Sequence, residues 1–232
     1  NIEISSATDE YGNLINGTAV VMLSNALASN LNDISVVNGA GTNSQIIFEA
    51  TTNRVVFKVS IDSITNRVVI SNVKPTEAIG SLEIISSVSK VTAGKYINQP
   101  VRVKVYDLYN NIKYDATNSI YFKSSDSAAI FTNDNTNPYK YSITDKGDKE
   151  FSRTNFVYIT AGIQDLVVTN EQLGVSDRIN GIEVVASGVA GFMATASVAT
   201  AEAGVGFNIE ISSATDEYGN LINGTAVVML SN

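Results

Sequence analysis

Three residue types are missing from this sequence of 232 residues: cysteine, histidine and tryptophan. Without cysteine the chain has neither disulfide bonds nor thiolate nucleophiles. Without histidine it has no imidazole base, no Ser-His-Asp triad and no usual zinc site. Paired carboxylates are the remaining catalytic device, but most of the acidic residues fall in predicted turns or on the polar faces of predicted strands. We therefore expect a protein that is not an enzyme and has no cofactor.

Positive charge is also scarce, because 15 Lys and Arg residues face 23 Asp and Glu residues, for a net charge of −8. Nucleic acids and anionic membrane surfaces require clustered basic side chains, so neither is expected as a partner. The longest small and apolar run, "GVAGFMATASVATAEAGVGF" at 188–207, contains Glu202 and four glycines. This composition is poor for crossing a bilayer, so no membrane span is expected. We expect an extended segment there.

Apolar and polar residues alternate along most of the chain. "VRVKV" at 101–105 places Val101, Val103 and Val105 on one face, and "RVVFKVSI" at 54–61 behaves in the same way. Such alternation in short runs rich in β-branched and aromatic residues predicts half-buried strands. Turn sequences such as "TTN", "SITN" and "EQLG" separate the runs. The pattern predicts an all-β chain of antiparallel sandwiches.

The chain repeats itself. "NIEISSATDEYGNLINGTAVVMLSN" occurs at 1–25 and again, letter for letter, at 208–232. A more diverged repeat aligns 206–232 with 99–126, so the 207-residue period itself consists of two modules of about 100 residues. We predict a first module over 1–88 that lacks its first strand, a second over 89–186, and the first strands of a further copy of the first module over 187–232.

The second module resembles a known family. Four of its segments carry the resemblance: "TAGKYINQPVRVKVYDLYNNIKYDATNSIYFKSSDSAAIF", "YKYSITDKGDKEFS", "ITAGIQDLVVTNE" and "INGIEVV". They resemble the bacterial immunoglobulin-like tandem repeats of surface proteins, namely the invasin/intimin-type and filamin-like modules of adhesins, surface-layer proteins and extracellular filaments. In the first module the resemblance extends through residues 9–13. It implies tandem immunoglobulin-like β-sandwiches that serve as a spacer, filament unit or adhesive stalk outside the cell.

The first residue is Asn1, without an initiator methionine or a signal peptide, so we expect a fragment or a mature piece. Identity over 25 positions has three explanations: recent duplication or homogenisation, a deliberately overlapping piece, or a window on a periodic fibre. Both copies fit the same sheet with the same faces. The C-terminal copy of one molecule is therefore expected to compete for the first module of another, in a head-to-tail contact.

A turn of pattern Asp-x-Tyr-[Gly/Asn]-Asn occurs three times. Its Asp and Asn oxygens are weak candidates for calcium, because calcium takes six to eight oxygen ligands and each turn offers few. The calcium candidates are Asp9, Asn13, Asp107, Asn111, Asp216 and Asn220. The favoured interpretation is a structural Asx-type turn with a packing tyrosine. In that interpretation Tyr11, Tyr109 and Tyr218 belong to the turns as well.

Tyrosine is concentrated in the second module. A carbohydrate-binding face is one interpretation, since Tyr combines ring stacking with a hydroxyl group. Packing in the core and at the rim of a sandwich is the favoured one. The residues in question are Tyr96, Tyr106, Tyr109, Tyr114, Tyr121, Tyr139, Tyr141 and Tyr158. The sequence "NGT" at Asn16 and Asn223 is an N-glycosylation acceptor by its pattern alone.

The sequence as a whole predicts an extracellular, cell-surface repeat unit of a filament, stalk or surface-layer-type protein. Its partners are neighbouring copies of itself, and each module folds on its own core and contacts mainly its neighbours. The alternative is an adhesin module that binds cell-surface glycans or a protein receptor through loops or the tyrosine-rich face.

Overall fold

The computed structural model describes residues 1–24, 28–43, 45–131 and 137–229, so Asn25 and residues 230–232 of the duplicated segments lie outside the described residues. The regular secondary structure of the described residues is nearly all β-strand, which confirms the predicted all-β sandwich class. In the described part, the helical elements are single 3₁₀ turns at Ile143–Asp145 and Arg153–Asn155. No helix there is long and apolar enough to cross a membrane.

Two compact units divide the chain: residues 1–80 with 106–113 form unit 1, and residues 81–105 with 114–232 form unit 2. Residues 106–113 thus group with unit 1, although the sequence repeat assigns them to the module 89–186. The strands of unit 1 are β1 Glu3–Ile4, β2 Gly17–Leu23, β3 Ala28–Ser29, β4 Ile34–Val36, β5 Gly41–Thr42, β6 Ile47–Phe48, β7 Val55–Ile61 and β8 Ile64–Ile70. Their sheets have the orders β4-β2-β7-β8, β1-β5 and β3-β6.

Unit 1 has its core on one face of the four-stranded sheet. Val55, Phe57 and Val59 of β7 point into it, as the alternation predicts. Ile2, before β1, is buried in the same cluster. The strands β7 and β8 pair as a hairpin, with Ile61 opposite Ile64. The predicted turn "SITN" at 63–66 is therefore wrong: the turn lies at 62–63, where Asp62 adopts a left-handed backbone that Asp tolerates.

Unit 2 contains the remaining strands, except that β9 begins in unit 1 at residues 79–80 and β11 ends in unit 1 at residues 106–107. They are β9 Ile79–Ile85, β10 Lys90–Thr92, β11 Val101–Asp107, β12 Ser119–Lys123, β13 Tyr139–Lys140, β14 Asp148–Phe151, β15 Gly162–Asn170, β16 Val175–Val185, β17 Gly191–Ala196 and β18 Ile209–Thr215. The sheet orders are β10-β16-β15-β12-β13, β14-β11-β9 and β17-β18. The pairing of β10 with β16 is parallel.

A shared aromatic core holds two of these sheets together. Phe122 of β12 meets Phe151 of β14 edge-to-face at a ring-centroid distance of 5.0 Å, so the five-stranded and three-stranded sheets pack face to face. Val103 of β11 is fully buried, as are its neighbours on the same face, Val101 and Val105. The Tyr141 hydroxyl donates a hydrogen bond of 2.8 Å to the Val103 carbonyl oxygen. The predicted register of β11 is confirmed.

The two copies of the duplicated sequence share local backbone features but differ in their strands and surroundings. Ser6 and Ser213, which are equivalent, have φ of 57° and 56°. In unit 1 the first copy supplies β1 and the central strand β2, where Val21 is 6% exposed. In unit 2 the second copy supplies β18, and its residues 222–229 form no strand. Val228, the equivalent of Val21, is 64% exposed. The second copy therefore lacks the sheet neighbours that the first copy has.

Candidate functional site

The three Asp-x-Tyr-[Gly/Asn]-Asn turns, called the first turn (9–13), second turn (107–111) and third turn (216–220), have the same internal structure. In the first turn, Asp9 Oδ1 accepts the backbone N–H groups of Tyr11 and Asn13 at 3.0 and 2.8 Å. In the third turn, Asp216 Oδ1 accepts those of Tyr218 and Asn220 at 2.9 and 2.8 Å. The second turn repeats the pattern at 2.9 and 2.8 Å. Each carboxylate therefore organises its own loop.

The fourth position of the turn explains the choice between glycine and asparagine. Gly12, Asn110 and Gly219 have φ of 86°, 62° and 84°. This left-handed region strains most side chains, but glycine adopts it freely and asparagine tolerates it. In each turn the N–H of this residue donates to the Asp carbonyl oxygen at 3.1 Å. The turn geometry is thus encoded by the local sequence.

The second turn also makes three outward bonds within unit 1. Asp107 Oδ2 accepts the Thr76 N–H at 2.9 Å. The Asn111 side chain donates through Nδ2 to the Glu49 carbonyl oxygen at 3.0 Å, and its Oδ1 accepts the Thr51 N–H at 3.1 Å. All three partners are backbone groups. Asn111 therefore binds residues 49 and 51 as a neighbouring strand would.

The third turn makes the same three bonds within unit 2. Asp216 Oδ2 accepts the Ser187 N–H at 2.9 Å. Asn220 donates to the Ile159 carbonyl oxygen and accepts the Ala161 N–H, both at 2.8 Å. Asp216 is only 3% exposed as a result. These bonds hold the third turn to residues 159–161 and 187, which precede the second copy of the duplicated sequence in the chain.

The first turn differs from the other two in its surroundings. Asn13 Nδ2 donates to Asp9 Oδ2 at 3.0 Å, which is also an internal bond of the turn. Within the described residues, neither Asp9 nor Asn13 makes any of the three outward bonds. Both side chains are exposed. The first turn therefore has the geometry of the third turn without its partners.

The same hydrogen bonds set the charge of the turns. Burial alone would raise the pKa of Asp216, but hydrogen bonds from Asn220, Ser187 and Tyr218 outweigh it and lower the pKa to about 2. The pKa of Asp107 is also lowered: burial opposes the shift, and hydrogen bonds from Asn111, Thr76 and Tyr109 produce it. In the first turn, the Asn13 side chain is the main cause of the lowered pKa of Asp9. All three carboxylates are ionised at neutral pH.

A buried carboxylate shapes the loop that the third turn binds. Asp126 Oδ2 accepts the N–H groups of Ile159 and Thr160 at 2.7 and 2.9 Å. Asp126 is 4% exposed. Burial alone would raise its pKa, yet these bonds lower it. Asp126 therefore fixes residues 159–160 from one side while Asn220 binds residues 159 and 161. Sequence reasoning missed Asp126, because a lone Asp in a predicted strand end has no distinguishing pattern.

The structure does not bring the predicted calcium candidates together into one site. Among the described residues, no group of three or more His, Cys, Asp or Glu side chains is placed to hold a metal ion. Within each turn, both Asp oxygens accept hydrogen bonds from the protein. Each of these Asp oxygens therefore already serves as an acceptor within the protein.

The eight tyrosines of the second module do not form a single exposed face. Tyr141 and Tyr158 are buried in unit 2, and burial raises the pKa of each above its usual range. Tyr139 is half-buried and packs edge-to-face on Tyr141 at 5.5 Å. Tyr96, Tyr109 and Tyr114 are exposed. Asn16, of the glycosylation pattern, accepts the Asn38 N–H through its Oδ1 at 2.7 Å.

Comparisons with known proteins find distant similarity to solved structures. No family model matches the chain, and no curated protein matches its sequence. It is similar to domains 4–9 of the surface layer protein SbsC, at 16% identity and a TM-score of 0.37, over 94% of this chain and 31% of that one. It is also similar to domains 1–6 of SbsC, at 15% identity and a TM-score of 0.34, over 89% and 24%. InvD of Yersinia pseudotuberculosis matches at 14% identity and a TM-score of 0.42, over 94% and 65%. The chain spans less than two thirds of each of these structures.

Proposed function

We propose that this chain is the structural repeat unit of an extracellular filament, stalk or surface-layer-type protein at the cell surface, and that its copies join head to tail by donating a strand. The observation that carries the proposal is the different pairing of identical sequences. Residues 209–215 pair with β17, whereas in the described residues β1 pairs with β5 and has no strand along its other edge.

The register of the donated strand follows from the pairing inside unit 2. Ala194, Thr195 and Ala196 of β17 lie opposite Ile211, Glu210 and Ile209. Those three residues are equivalent to Ile4, Glu3 and Ile2 at an offset of 207. The β17 strand of one copy would therefore pair antiparallel with residues 2–4 of the next. Addition of a strand to a sheet edge gains main-chain hydrogen bonds without changing the fold of the acceptor.

Unit 1 has room for such a strand. A cleft of about 560 Å³ lies between residues 2–9 and the hairpin strand β8, and Ile64, Asn66 and Val68 line it. Every residue of β8 is exposed, although it includes four large apolar side chains. In unit 2, β9 covers one edge of β11 by pairing with it, and β10 covers one edge of β16 in the same way. An incoming segment like 188–207 would cover the cleft in the same way.

When copies join, the second copy of the duplicated sequence is the part that would lose its pairing with β17. Its residues 222–229 form no strand, so β18 is held mainly by β17 and by the third turn. The first copy supplies the central strand of a four-stranded sheet and is far more costly to remove. We therefore propose that β17 leaves β18 and pairs with β1 of the next copy, which repeats without closure and gives a filament.

The test compares the full chain with a chain that ends at residue 207. We expect the shortened chain to assemble at a lower concentration, because residues 208–232 no longer compete for β17. Sedimentation velocity measures the assembly, and electron microscopy should show thin fibres with a repeat of two modules.

The matched control is Thr195→Pro in the shortened chain, which should abolish the fibres because proline removes the backbone donor that β17 directs at the strand opposite, as the neighbouring Ser197 N–H bond to the Asn208 carbonyl oxygen shows. If both chains stay monomeric at every concentration, the proposal is wrong. Fibres that tolerate Thr195→Pro would show that assembly uses another surface.

A further inference from the structure

We infer that the first turn, Asp9–Asn13, is a binding site for the end of a second copy of this chain, namely the loop Ile159–Ala161 and the N–H of Ser187. This inference rests on the proposed head-to-tail function and identifies the side chains that would hold the joint. It differs from strand donation, because the bonds come from a turn and not from the edge of β1.

The first and third turns are the same turn in different surroundings. Both have the sequence Asp-Glu-Tyr-Gly-Asn, and their internal hydrogen bonds agree to within 0.1 Å. The third turn binds Ile159, Ala161 and Ser187 through three bonds of 2.8–2.9 Å. The first turn holds its donor and acceptor atoms in the same arrangement before any partner arrives. Such preorganisation reduces the entropic cost of binding.

The outward bonds recur with different partners. The second turn binds Glu49, Thr51 and Thr76 through the same three atoms. Only backbone groups of the partner are used in either case, so the turn recognises the shape of a loop and not its side chains. Two independent occurrences show that the bonds belong to the turn motif and not to one local environment.

The tyrosine of the turn adds a contact that is specific for the partner. Tyr218 lies against Gly94, where any side chain would overlap the tyrosine ring. Gly94 has φ of 73°, which also favours glycine. Tyr218 is 40% exposed, whereas the equivalent Tyr11 is 81% exposed. We therefore expect Tyr11 to cover Gly94 of the second copy when the first turn binds.

The absence of cysteine allows a cross-linking test in the full-length chain. One chain carries Leu14→Cys, beside the first turn, and the other carries Ile163→Cys, beside the loop 159–161; both positions are exposed. Both chains also carry Asn220→Ala, which weakens the resident third turn. After mixing, a short bis-maleimide should yield a cross-linked heterodimer at about ten times the level of a control pair with Leu173→Cys, which lies about 30 Å away at the other end of β15.

Adding Asn13→Ala to the first chain removes two of the three outward bonds and should lower the yield about tenfold. Glu10→Ala is the matched control, because Glu10 lies in the same turn and makes none of these bonds, and it should leave the yield unchanged. An equal yield with Asn13→Ala, or no heterodimer above the control pair, overturns the inference.

The outcome is independent of the fibre test. If shortened chains form fibres but cross-linking ignores Asn13, the turn is not part of the joint and strand donation stands. If cross-linking depends on Asn13 but no fibres form, the turn binds a second copy and the proposal that the chain forms a filament is wrong.

Discussion

Asn111 and Asn220 each use both ends of one amide group, donating to a carbonyl oxygen and accepting from an N–H two residues further along. A backbone peptide unit in a neighbouring strand offers the same pair. An asparagine side chain can therefore extend a sheet where no strand is available. Aspartate lacks the donor, so Asn220→Asp would place a carboxylate against the Ile159 carbonyl oxygen.

The charge of Asp216 gives a prediction at the level of a single residue. Its pKa in the folded protein is about 2, against an ordinary value of 3.8. A carboxyl group whose pKa is lowered by folding stabilises the folded state above its ordinary pKa and loses that contribution as the pH falls through the lower value. We expect the third turn to loosen between about pH 4 and pH 2. Carbon-13 NMR of the Asp216 carboxyl group should give a titration midpoint near pH 2.

The control for this titration is Asn220→Ala, which should move the midpoint toward 3.8 because it removes a hydrogen bond to the carboxylate. A midpoint at or above 3.8 in the unmodified chain would mean that the turn does not form in solution.

The sequence predicted the turns but not what they bind. Asp at the first position, Gly or Asn at the fourth and Asn at the fifth are local signals, and the loop follows from them. The outward partners are backbone groups of Thr51, Ala161 and Ser187, which any residue except proline can supply. Such partners have no sequence signature. The role of Asn220 became apparent only with the distant loop beside it.

Among the elements, strand β11 carries the sharpest stability prediction. Val103→Asp places an unpaired carboxylate at a fully buried position, which costs several kcal/mol against a total stability of about 5–15 kcal/mol. We expect unit 2 to unfold. Arg102→Gln, on the opposite face, breaks an exposed ion pair with Asp148 of 2.5 Å and should cost no more than about 1 kcal/mol.

Urea denaturation followed by circular dichroism measures both effects. Similar midpoints for the two variants would mean that Val103 and Arg102 do not differ in burial, which contradicts the observed register of β11.

Strands were predictable where alternation was strong and local. β7 and β11 match their predicted runs to within two residues, because each buries alternate side chains on one face. The parallel pairing of β10 with β16 was not predicted. It joins residues more than ninety positions apart, and β10 has three residues, too few for a period to be read. Pairing partners are a property of the folded chain, which alternation along one strand does not report.

For the whole molecule, the turns lead to a prediction about metals. The Asp oxygens of the turns already accept N–H groups, and each turn offers too few further oxygens for the six to eight that calcium takes. We expect the melting temperature to be the same with a chelator as with millimolar calcium. Differential scanning calorimetry checks this. A rise of many degrees that depends on calcium would reveal a ligand that binds the folded state, since such binding stabilises by mass action.

The parallel pair of β10 and β16 determines how unit 2 responds when it is pulled. The chain enters this sheet at Lys90, at the start of β10, and leaves it at Val185, at the end of β16. Tension applied through those two points slides the strands past each other, so the hydrogen bonds between them share the load and must break together. In an antiparallel hairpin pulled open from its ends, they would break one at a time. Forced unfolding is governed by the barrier to the first rupture, so the shear geometry gives a short strand pair a mechanical resistance beyond its small contribution to equilibrium stability.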